Sequence, residues 1–397
     1  MKVLMAFPFD FPGLSHWEGA RTRLLSLSKG LLERGHNVHI LSKLDSEYSD
    51  NHYQGIALHS YKWEKSGSTS GRYLSSILIG REIQRLDQEM GFDLVHLHLP
   101  IVAASAGLWK RLITAKTVYD THDWYKLHDE LYYNIKFLPR SFSGAVDVLE
   151  REICKVHNQV LVTTPLLTNL LGKNIQSSVV PNAVDTSHFR PTDSDFRERI
   201  FGKDSFVVGF LGVVSIYQGV WKLLEAAKLA SREIPNLKLL VVGSGSVSDA
   251  RKFAKSLDIE ENVYFTGPNA IPYSELPGYI SSMDLAVSPL QPLPRYQEYA
   301  QPLKVLEYMA CDVPVVCTPL REQSRLITEA RSGKIAKGFG TAELADAIVS
   351  LYNQRDDAVG KGSLRRYIVE NYSMDAVLND LEKAYGRLWQ SASKKSL

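Results

Sequence analysis

One stretch decides the fold, Gln301-Pro302-Leu303-Lys304-Val305-Leu306-Glu307-Tyr308-Met309-Ala310-Cys311-Asp312-Val313-Pro314-Val315-Val316. It predicts a helix that begins beside a proline and leads directly into a buried strand. In an open α/β sheet, ligands bind at such helix starts, where the carboxyl ends of the strands lie. Backbone N–H groups there attract phosphate, whereas the Glu307 carboxylate can accept hydrogen bonds from sugar hydroxyls. The stretch therefore predicts that one element holds both the ribose and the diphosphate of a nucleotide.

Length and composition indicate a globular protein of two domains. The 397 residues exceed the size at which one hydrophobic core stops growing, so we expect two domains of roughly 200 residues each, with a cleft between them. A net charge of +2 gives no electrostatic basis for binding nucleic acid. The cysteines at 154, 311 and 317 lie in apolar stretches without metal-ligand spacing, so we interpret them as core residues.

We do not expect the N-terminal apolar run to be a targeting segment. Its apolar run ends at Asp10, which is too short for a signal peptide or for the ~20 residues of a membrane-spanning helix. We therefore expect a cytoplasmic protein.

Short apolar runs alternate with helical patterns along the chain, which is typical of parallel sheets with helices on both faces. A polar, proline-containing segment over residues 189–204 interrupts the alternation, and we place the domain boundary there. The prediction is an N-terminal Rossmann-like domain over residues 1–190 and a C-terminal one over residues 200–374. A last helix, about residues 375–397, carries an apolar stripe that needs a partner surface; its members are Leu378, Leu381, Tyr385 and Leu388.

All 11 histidines lie at or before His188, so the N-terminal domain supplies any histidine that takes part in chemistry. Three of them, His96, His98 and His122, leave predicted strands at the carboxyl edge of the sheet, where a crevice forms. Position favours His98 and His122 as site residues. The alternative is that each imidazole only satisfies loop carbonyl groups.

Two glycine turns follow strands of the C-terminal domain. The Gly209-x-x-Gly212 turn lets the backbone approach a phosphate closely, although a simple tight turn would have the same sequence. Gly243-Ser244-Gly245 is similar, and we interpret it as a packing turn. Asp284, at the start of a strand, is interpreted as a structural cap.

Together these pieces resemble the retaining glycosyltransferases of the GT-B fold, specifically family 4, over nearly the whole chain. The resemblance is carried by the order and spacing of short motifs: Glu18-Gly19-Ala20, Arg34-Gly35-His36-Asn37-Val38, His96-Leu97-His98, Thr121-His122-Asp123, Val180-Pro181-Asn182-Ala183-Val184-Asp185, Val242-Gly243-Ser244-Gly245, Asn262-Val263-Tyr264-Phe265-Thr266-Gly267, Glu307-Tyr308-Met309-Ala310 and Asn371-Tyr372-Ser373-Met374.

The resemblance implies an α/β, GT-B architecture with two doubly wound domains facing across a cleft and the last helix crossing back to the N-terminal domain. The N-terminal domain would bind an acceptor, either a saccharide or a lipid-linked one, and the C-terminal domain a nucleotide sugar. No metal and no cofactor beyond this co-substrate would be needed. Glu307 is similar to the family's ribose-binding glutamate, and His122 to its histidine near the reactive sugar. Gly19 lies where the family brings its backbone close to the donor phosphate or the acceptor.

The sequence departs from the family where the diphosphate binds. Family members usually carry an arginine and a Lys-Gly pair after the glycine turn, but Val213 and Gln218 occupy those positions here. The first of the family's two glutamates is replaced by Tyr299, with Glu298 one place off. Pro302 stands where a glycine N–H usually meets phosphate, and proline has no N–H.

Something must stabilise the departing diphosphate, and Lys304 is the best candidate. It lies three residues before Glu307, so the two side chains project to neighbouring positions on a helix. The amides of Leu303 and Lys304, together with Arg295, would assist. The alternative for Lys304 is a solvated surface lysine.

The sequence thus predicts a retaining, metal-independent transfer from a nucleoside diphosphate sugar to an acceptor hydroxyl, with His122 positioning the sugar. Two alternatives remain open, a GT-B sugar nucleotide 2-epimerase and a noncatalytic subunit that keeps the fold. Residues 125–142 mix aromatic and basic side chains, which suits peripheral contact with a membrane, or else an ordinary acceptor loop.

Overall fold

The computed structural model describes residues 1–11, 19–44, 51–61, 69–122, 143–193, 195–269, 271–292, 299–355 and 362–393. The chain divides into two compact units, which are described separately below. The first comprises Met1–Ala183 and Met374–Leu397, and the second comprises Val184–Ser373. None of the helices in the described ranges combines the length and the apolar character needed to span a bilayer.

The first unit contains an eight-stranded sheet in the order β3-β4-β2-β1-β5-β6-β7-β8. Every neighbouring pair is parallel except β3 with β4. The strands are β1 (Lys2–Phe11), β2 (Asn37–Leu44), β3 (His52–Tyr53), β4 (Ile56–Ser60), β5 (Leu94–His98), β6 (Lys116–Thr121), β7 (Gln159–Val162) and β8 (Ser177–Val179). The helices are α1 (Gly19–Glu33), α2 (Thr69–Met90), α3 (Pro100–Leu108), α4 (Ser143–Val156), α5 (Pro165–Leu171) and the last helix of the chain.

That last helix packs on α1 of the same unit, so its predicted apolar stripe has the partner that it needs. All four stripe residues are buried in the core of the first unit. A Cβ atom added at Gly30 of α1 would lie 2.3 Å from Cδ1 of Leu378, so the two helices approach closely at this point. Arg34 Nη1 donates to Glu382 Oε2 at 2.6 Å at the edge of the contact. The predicted return of the C-terminal helix to the N-terminal fold is confirmed.

The second unit is built on a six-stranded, fully parallel sheet in the order β11-β10-β9-β12-β13-β14. Its strands are β9 (Phe206–Leu211), β10 (Leu237–Val242), β11 (Val263–Phe265), β12 (Leu285–Ser288), β13 (Val315–Cys317) and β14 (Gly333–Ile335). The strand order reverses between β9 and β12, and in a doubly wound sheet that switch point forms the ligand crevice. The Rossmann-like class predicted for both units is confirmed.

Helices cover both faces of this second sheet. They are α6 (Phe196–Phe201), α7 (Val220–Ala230), α8 (Val247–Ser256), α9 (Leu276–Ser281), α10 (Leu303–Ala310), α11 (Arg321–Ala330), α12 (Thr341–Asn353) and α13 (Ser363–Tyr372), and α14 (Met374–Ser393) follows in the first unit. The buried side chains of these helices and of the sheet form two apolar cores.

The division between the units falls at Ala183, earlier than the polar segment over residues 189–204 in which the sequence places it. Val184 N donates to Tyr372 O at 2.8 Å, and both Val184 and Phe189 are buried in the second unit. Arg365 donates to the carbonyls of Thr186 and Phe189, at 2.7 Å in each case. These contacts fix residues 184–189 on α13, and the polar residues that follow also belong to the second unit.

Candidate active site

Helix α10 begins at the carboxyl edge of the second sheet, beside the switch point. Pro302 precedes it in an extended conformation, and Val305 N donates back to Pro302 O at 3.0 Å. The amides of Leu303 and Lys304 belong to the first turn, where N–H groups have no acceptor within the helix. Two donors and the positive end of the helix dipole are thus available to an anion, although Pro302 contributes none.

Lys304 turns back under the glycine turn that follows β9. Its Nζ donates to Gln218 Oε1 at 2.5 Å and lies 4.4 Å from the centre of the Phe210 ring. A Cβ atom added at Gly212, whose φ is +143°, would lie 2.8 Å from this Nζ. Burial lowers the pKa of Lys304 to about 7, against the opposing attraction of Glu307. Lys304 is therefore a lysine held beneath the turn and not a solvated surface residue.

Glu307 lies one turn further along α10 and is partly exposed. Burial raises the pKa of its carboxyl to about 7, and the nearby Lys304 ammonium acts in the opposite direction. The next residue, Tyr308, is fully buried, and its hydroxyl accepts a hydrogen bond from Leu211 N at 2.6 Å. This bond ties α10 to the end of β9, so Glu307 and Lys304 have a fixed place beside the glycine turn.

The second glycine turn supports the first. A Cβ atom added at Gly243 would lie only 2.0 Å from Gly212 O. Val214 N donates to Ser244 O at 2.7 Å, and Ser246 N donates to Val214 O at 2.9 Å. Gly243-Ser244-Gly245 is thus in contact with the Gly212 turn, in agreement with its interpretation as a packing turn.

In the first unit, the carboxyl ends of β5 and β6 bring three histidines around Asp120. His96 Nε2 lies 3.1 Å and His98 Nδ1 3.7 Å from Asp120 Oδ2. His122 Nε2 lies 3.7 Å from the same oxygen and 3.1 Å from His98 Nδ1. His98 is fully buried and His122 is 7% exposed. The predicted strand-end histidines therefore form one cluster, in which only His122 reaches the surface.

Arg23 of α1 completes the cluster, and our sequence reasoning missed it. Its Nε donates to Asp120 Oδ2 at 2.8 Å and its Nη2 to Asp120 Oδ1 at 3.2 Å. Burial alone would raise the pKa of Asp120, but Arg23, His122 and His96 hold it well below its usual range. The available signal was a charged residue at position 23, four and eight residues before Leu27 and Leu31 on the apolar face of α1.

His96, His98 and Asp120 also satisfy the spacing of a metal site, since one ligand atom from each lies within 4.8 Å of the others. However, both Asp120 oxygens already accept from Arg23. His96 is hydrogen-bonded through both ring nitrogens, with Tyr385 OH at 2.7 Å and Asp120 Oδ2 at 3.1 Å. A metal would have to displace these bonds, so the donor set fits a hydrogen-bonded cluster better than a metal centre.

The remaining predicted site residues are placed as follows. Gly19 is the first residue of α1 and is exposed, so its amide lies at a helix start. The predictions for Arg295, Glu298 and residues 125–142 lie outside the described residues.

The comparisons with known proteins agree with this arrangement. Residues 17–188 match the family described as "Glycosyltransferase Family 4", and residues 205–354 match the one described as "Glycosyl transferases group 1". The chain is 26% identical over 382 residues to a D-inositol 3-phosphate glycosyltransferase from Arthrobacter sp. (strain FB24), which covers 90% of this chain and 87% of that protein. It is 21% identical over 335 residues to the putative glycosyltransferase EpsD from Bacillus subtilis (strain 168), with 81% and 83% covered.

Solved structures share the fold. Sucrose-phosphate synthase from Thermosynechococcus elongatus superimposes with a TM-score of 0.78 at 17% identity, covering 98% of this chain and 99% of that one. HepE from Anabaena, solved in complex with UDP-glucose, gives a TM-score of 0.71 at 16% identity, covering 98% and 100%.

Two Rossmann-like units with a returning C-terminal helix define a GT-B fold, and a helix-start site at the switch point of the second unit is where such a fold binds ligands. The chain belongs to the group 1, family 4 glycosyltransferases. It is an enzyme of this class, and the predicted family and fold are confirmed.

Proposed function

We propose that the protein transfers a sugar from a nucleoside diphosphate sugar to an acceptor hydroxyl, with retention of the anomeric configuration and without a metal ion. The observation that carries the proposal is the start of α10, where Lys304, the first-turn amides of Leu303 and Lys304, and Glu307 are fixed beside the Gly212 turn. The HepE structures with UDP and with UDP-glucose support a nucleotide sugar as donor.

Glu307 binds the ribose of the donor. A carboxylate accepts two hydroxyl hydrogen bonds, and such bonds to the charged form lower a raised pKa. Because the pKa of Glu307 is about 7 without ligand, ribose binding would favour the ionised carboxylate at neutral pH.

Lys304 and the amides of Leu303 and Lys304 neutralise the diphosphate. Developing negative charge on a leaving phosphate is best stabilised by donors that are already in place. Gln218 keeps the Lys304 ammonium under the turn, in the region where family members carry basic side chains. The position of Lys304 thus compensates for the missing basic pair.

His122 positions the transferred sugar. The reaction course that we propose is front-face displacement, in which the leaving phosphate accepts the proton of the acceptor hydroxyl. This course requires no pair of catalytic carboxylates of the glycosidase type. The acceptor is a saccharide, either free or lipid-linked, and a lipid-linked acceptor would bring the protein into peripheral contact with a membrane.

The first experiment is a thermal-shift screen of UDP, GDP and ADP sugars on the purified protein. A ligand at 100 times its Kd adds about 2.7 kcal/mol of stability, so the correct donor should raise the melting temperature clearly. Glu307→Ala should abolish the shift, whereas Glu370→Gln, at an exposed glutamate of α13 in the same unit, should retain it. Binding that is equal in both variants would contradict the ribose assignment.

The second experiment follows turnover with the donor identified in that screen, in the presence of a chelator. We expect transfer to continue, and the anomeric coupling constant of the product should match that of the donor. An inverted product or a requirement for metal would refute those parts of the proposal. Epimerisation of the donor without any acceptor would favour the 2-epimerase alternative, and binding without turnover would favour a noncatalytic subunit.

A further inference from the structure

His98 lies at the end of β5 and contacts the His122 ring from the protein interior. It is fully buried, so it cannot touch a substrate in this conformation. Its Nδ1 lies 3.1 Å from His122 Nε2, and the two rings are nearly perpendicular, with an interplanar angle of 83°. Any influence of His98 on the reaction must therefore pass through the His122 ring.

The groups beneath this pair have fixed proton positions. Asp120 is ionised and only accepts, so His96 donates to it from Nε2 and Arg23 donates from Nε and Nη2. In the neutral form of His96, Nδ1 then accepts a hydrogen bond from the Tyr385 hydroxyl, with the two atoms 2.7 Å apart. Each bond in this frame has one donor and one acceptor, so only the protons of His98 and His122 remain to be assigned.

His98 is neutral in this setting. Burial lowers the pKa of His98 well below its usual value, the nearby His96 and His122 rings act in the same direction, and Asp120 opposes them. A neutral imidazole carries one N–H. Among the described residues, none provides a hydrogen-bond partner for the buried Nε2 of His98. A proton on Nε2 would leave a buried donor unsatisfied, whereas a proton on Nδ1 has the His122 nitrogen as acceptor.

We propose that His98 is a positioning residue that donates from Nδ1 to His122 Nε2 and thereby holds His122 as the neutral tautomer with its proton on Nδ1. The hydrogen bond made by one ring nitrogen determines whether the other nitrogen carries the proton, because each nitrogen of a neutral imidazole is either a donor or an acceptor. His122 then carries its proton on Nδ1 and is not a base at that atom. The inference rests on the proposed function only in assigning His122 a role in transfer.

The direct test is nitrogen NMR on protein labelled with ¹⁵N-histidine, at about pH 8.5, well above the ordinary imidazole pKa of about 6.5. The expected spectrum shows a protonated Nδ1 and an unprotonated, hydrogen-bonded Nε2 for His122, assigned by its loss in His122→Gln. A wild-type spectrum with the His122 proton on Nε2 would overturn the inference without any variant of His98.

Two substitutions of His98 then separate donation from packing. His98→Phe keeps a ring in the stack on His96, whose centroid lies 4.4 Å away, but has no donor. His122 should then move its proton to Nε2, which faces Asp120 Oδ2 at 3.7 Å, and kcat should fall about tenfold or more with little change in the KM for the donor. His98→Asn keeps an N–H group near the Nδ1 position and should retain the tautomer and most of the activity.

Equal losses in both variants, or an unchanged His122 tautomer in His98→Phe, would refute the positioning role. Circular-dichroism melting of each variant shows whether the fold is retained. The NMR result does not depend on turnover. If the tautomer shifts as expected but no nucleotide sugar binds, the proposed function fails and the role of His98 stands.

Discussion

Replacing Lys304 by methionine should stabilise the protein while it weakens donor binding. The substitution keeps the length and apolar body of the side chain under the Gly212 turn and over the Phe210 ring, but removes the ammonium. Burial lowers the pKa of this ammonium from 10.5 to about 7, so the charged form of Lys304 destabilises the folded protein. A well-packed apolar replacement for such a charge is often neutral or stabilising.

The magnitude follows from the pKa difference. At ~1.4 kcal/mol for each pH unit, the interval from about 7 to 10.5 corresponds to about 5 kcal/mol. Lys304 is partly exposed, and water relaxes around a partly exposed charge, so we expect about 1–3 kcal/mol of this in practice.

The gain has a defined pH dependence. Between pH 7 and 10.5 the unfolded chain binds the lysine proton more tightly than the folded protein does, so the Lys304 contribution to wild-type stability rises with pH. The advantage of Lys304→Met should therefore be largest near pH 7 and disappear towards pH 10. When the Lys304 ammonium is removed, the Glu307 carboxyl can remain protonated near pH 7, since its own pKa is raised to about 7.

Urea unfolding at pH 7.0, 8.5 and 9.5 measures this directly, with Lys222→Met as the matched control. Lys222 is also a partly exposed lysine of the second unit, and its Nζ donates to Phe339 O at 2.7 Å. Donor affinity should fall roughly 10- to 150-fold in Lys304→Met, because a charge-assisted hydrogen bond contributes about 1.5–3 kcal/mol. Destabilisation at pH 7, or a difference that does not change with pH, would refute this account of the lysine.

Two further substitutions test the surroundings of each site. Gly243→Ala places a Cβ atom 2.0 Å from Gly212 O at a φ of +145°, so it should destabilise the protein by about 2–4 kcal/mol. The control, Gly386→Ala in α14, meets nothing within 4 Å and should stabilise the protein slightly. An equal change in the melting temperatures of the two variants would contradict the steric argument. Asp120→Asn leaves the Arg23 guanidinium buried without its carboxylate and should destabilise by about 3–5 kcal/mol, measured by chemical unfolding. Near-neutral behaviour of Asp120→Asn would mean that water reaches the cluster.

The sequence was sufficient for the architecture because both units repeat one strongly patterned element. Apolar strands such as β1 and β9 are buried on both faces, which makes their sequence nearly continuous in valine, leucine and phenylalanine. The start of α10 was predicted for the same reason, since Pro302 and the following apolar turn mark a helix boundary.

Contacts between residues distant in sequence were not predictable in this way. Arg23 lies 97 residues from Asp120, and nothing in the local pattern of either residue specifies the other. The unit boundary was misplaced for a related reason. Residues 189–204 are polar, but Arg365 and Tyr372 hold the chain preceding them on the second unit, and composition does not record such backbone contacts.

The missing basic pair and the partly buried Lys304 are best understood as one arrangement. Taken alone, Val213 and Gln218 suggest that the diphosphate site has been lost. In the structure, the Gln218 side chain accepts from Lys304 Nζ, and the space for that Nζ exists because position 212 has no side chain. A solvent-exposed lysine would need neither the Gln218 acceptor nor a glycine at position 212. Since burial of an ammonium is unfavourable without a compensating role, its retention at the start of α10 argues that the charge serves ligand binding and not stability.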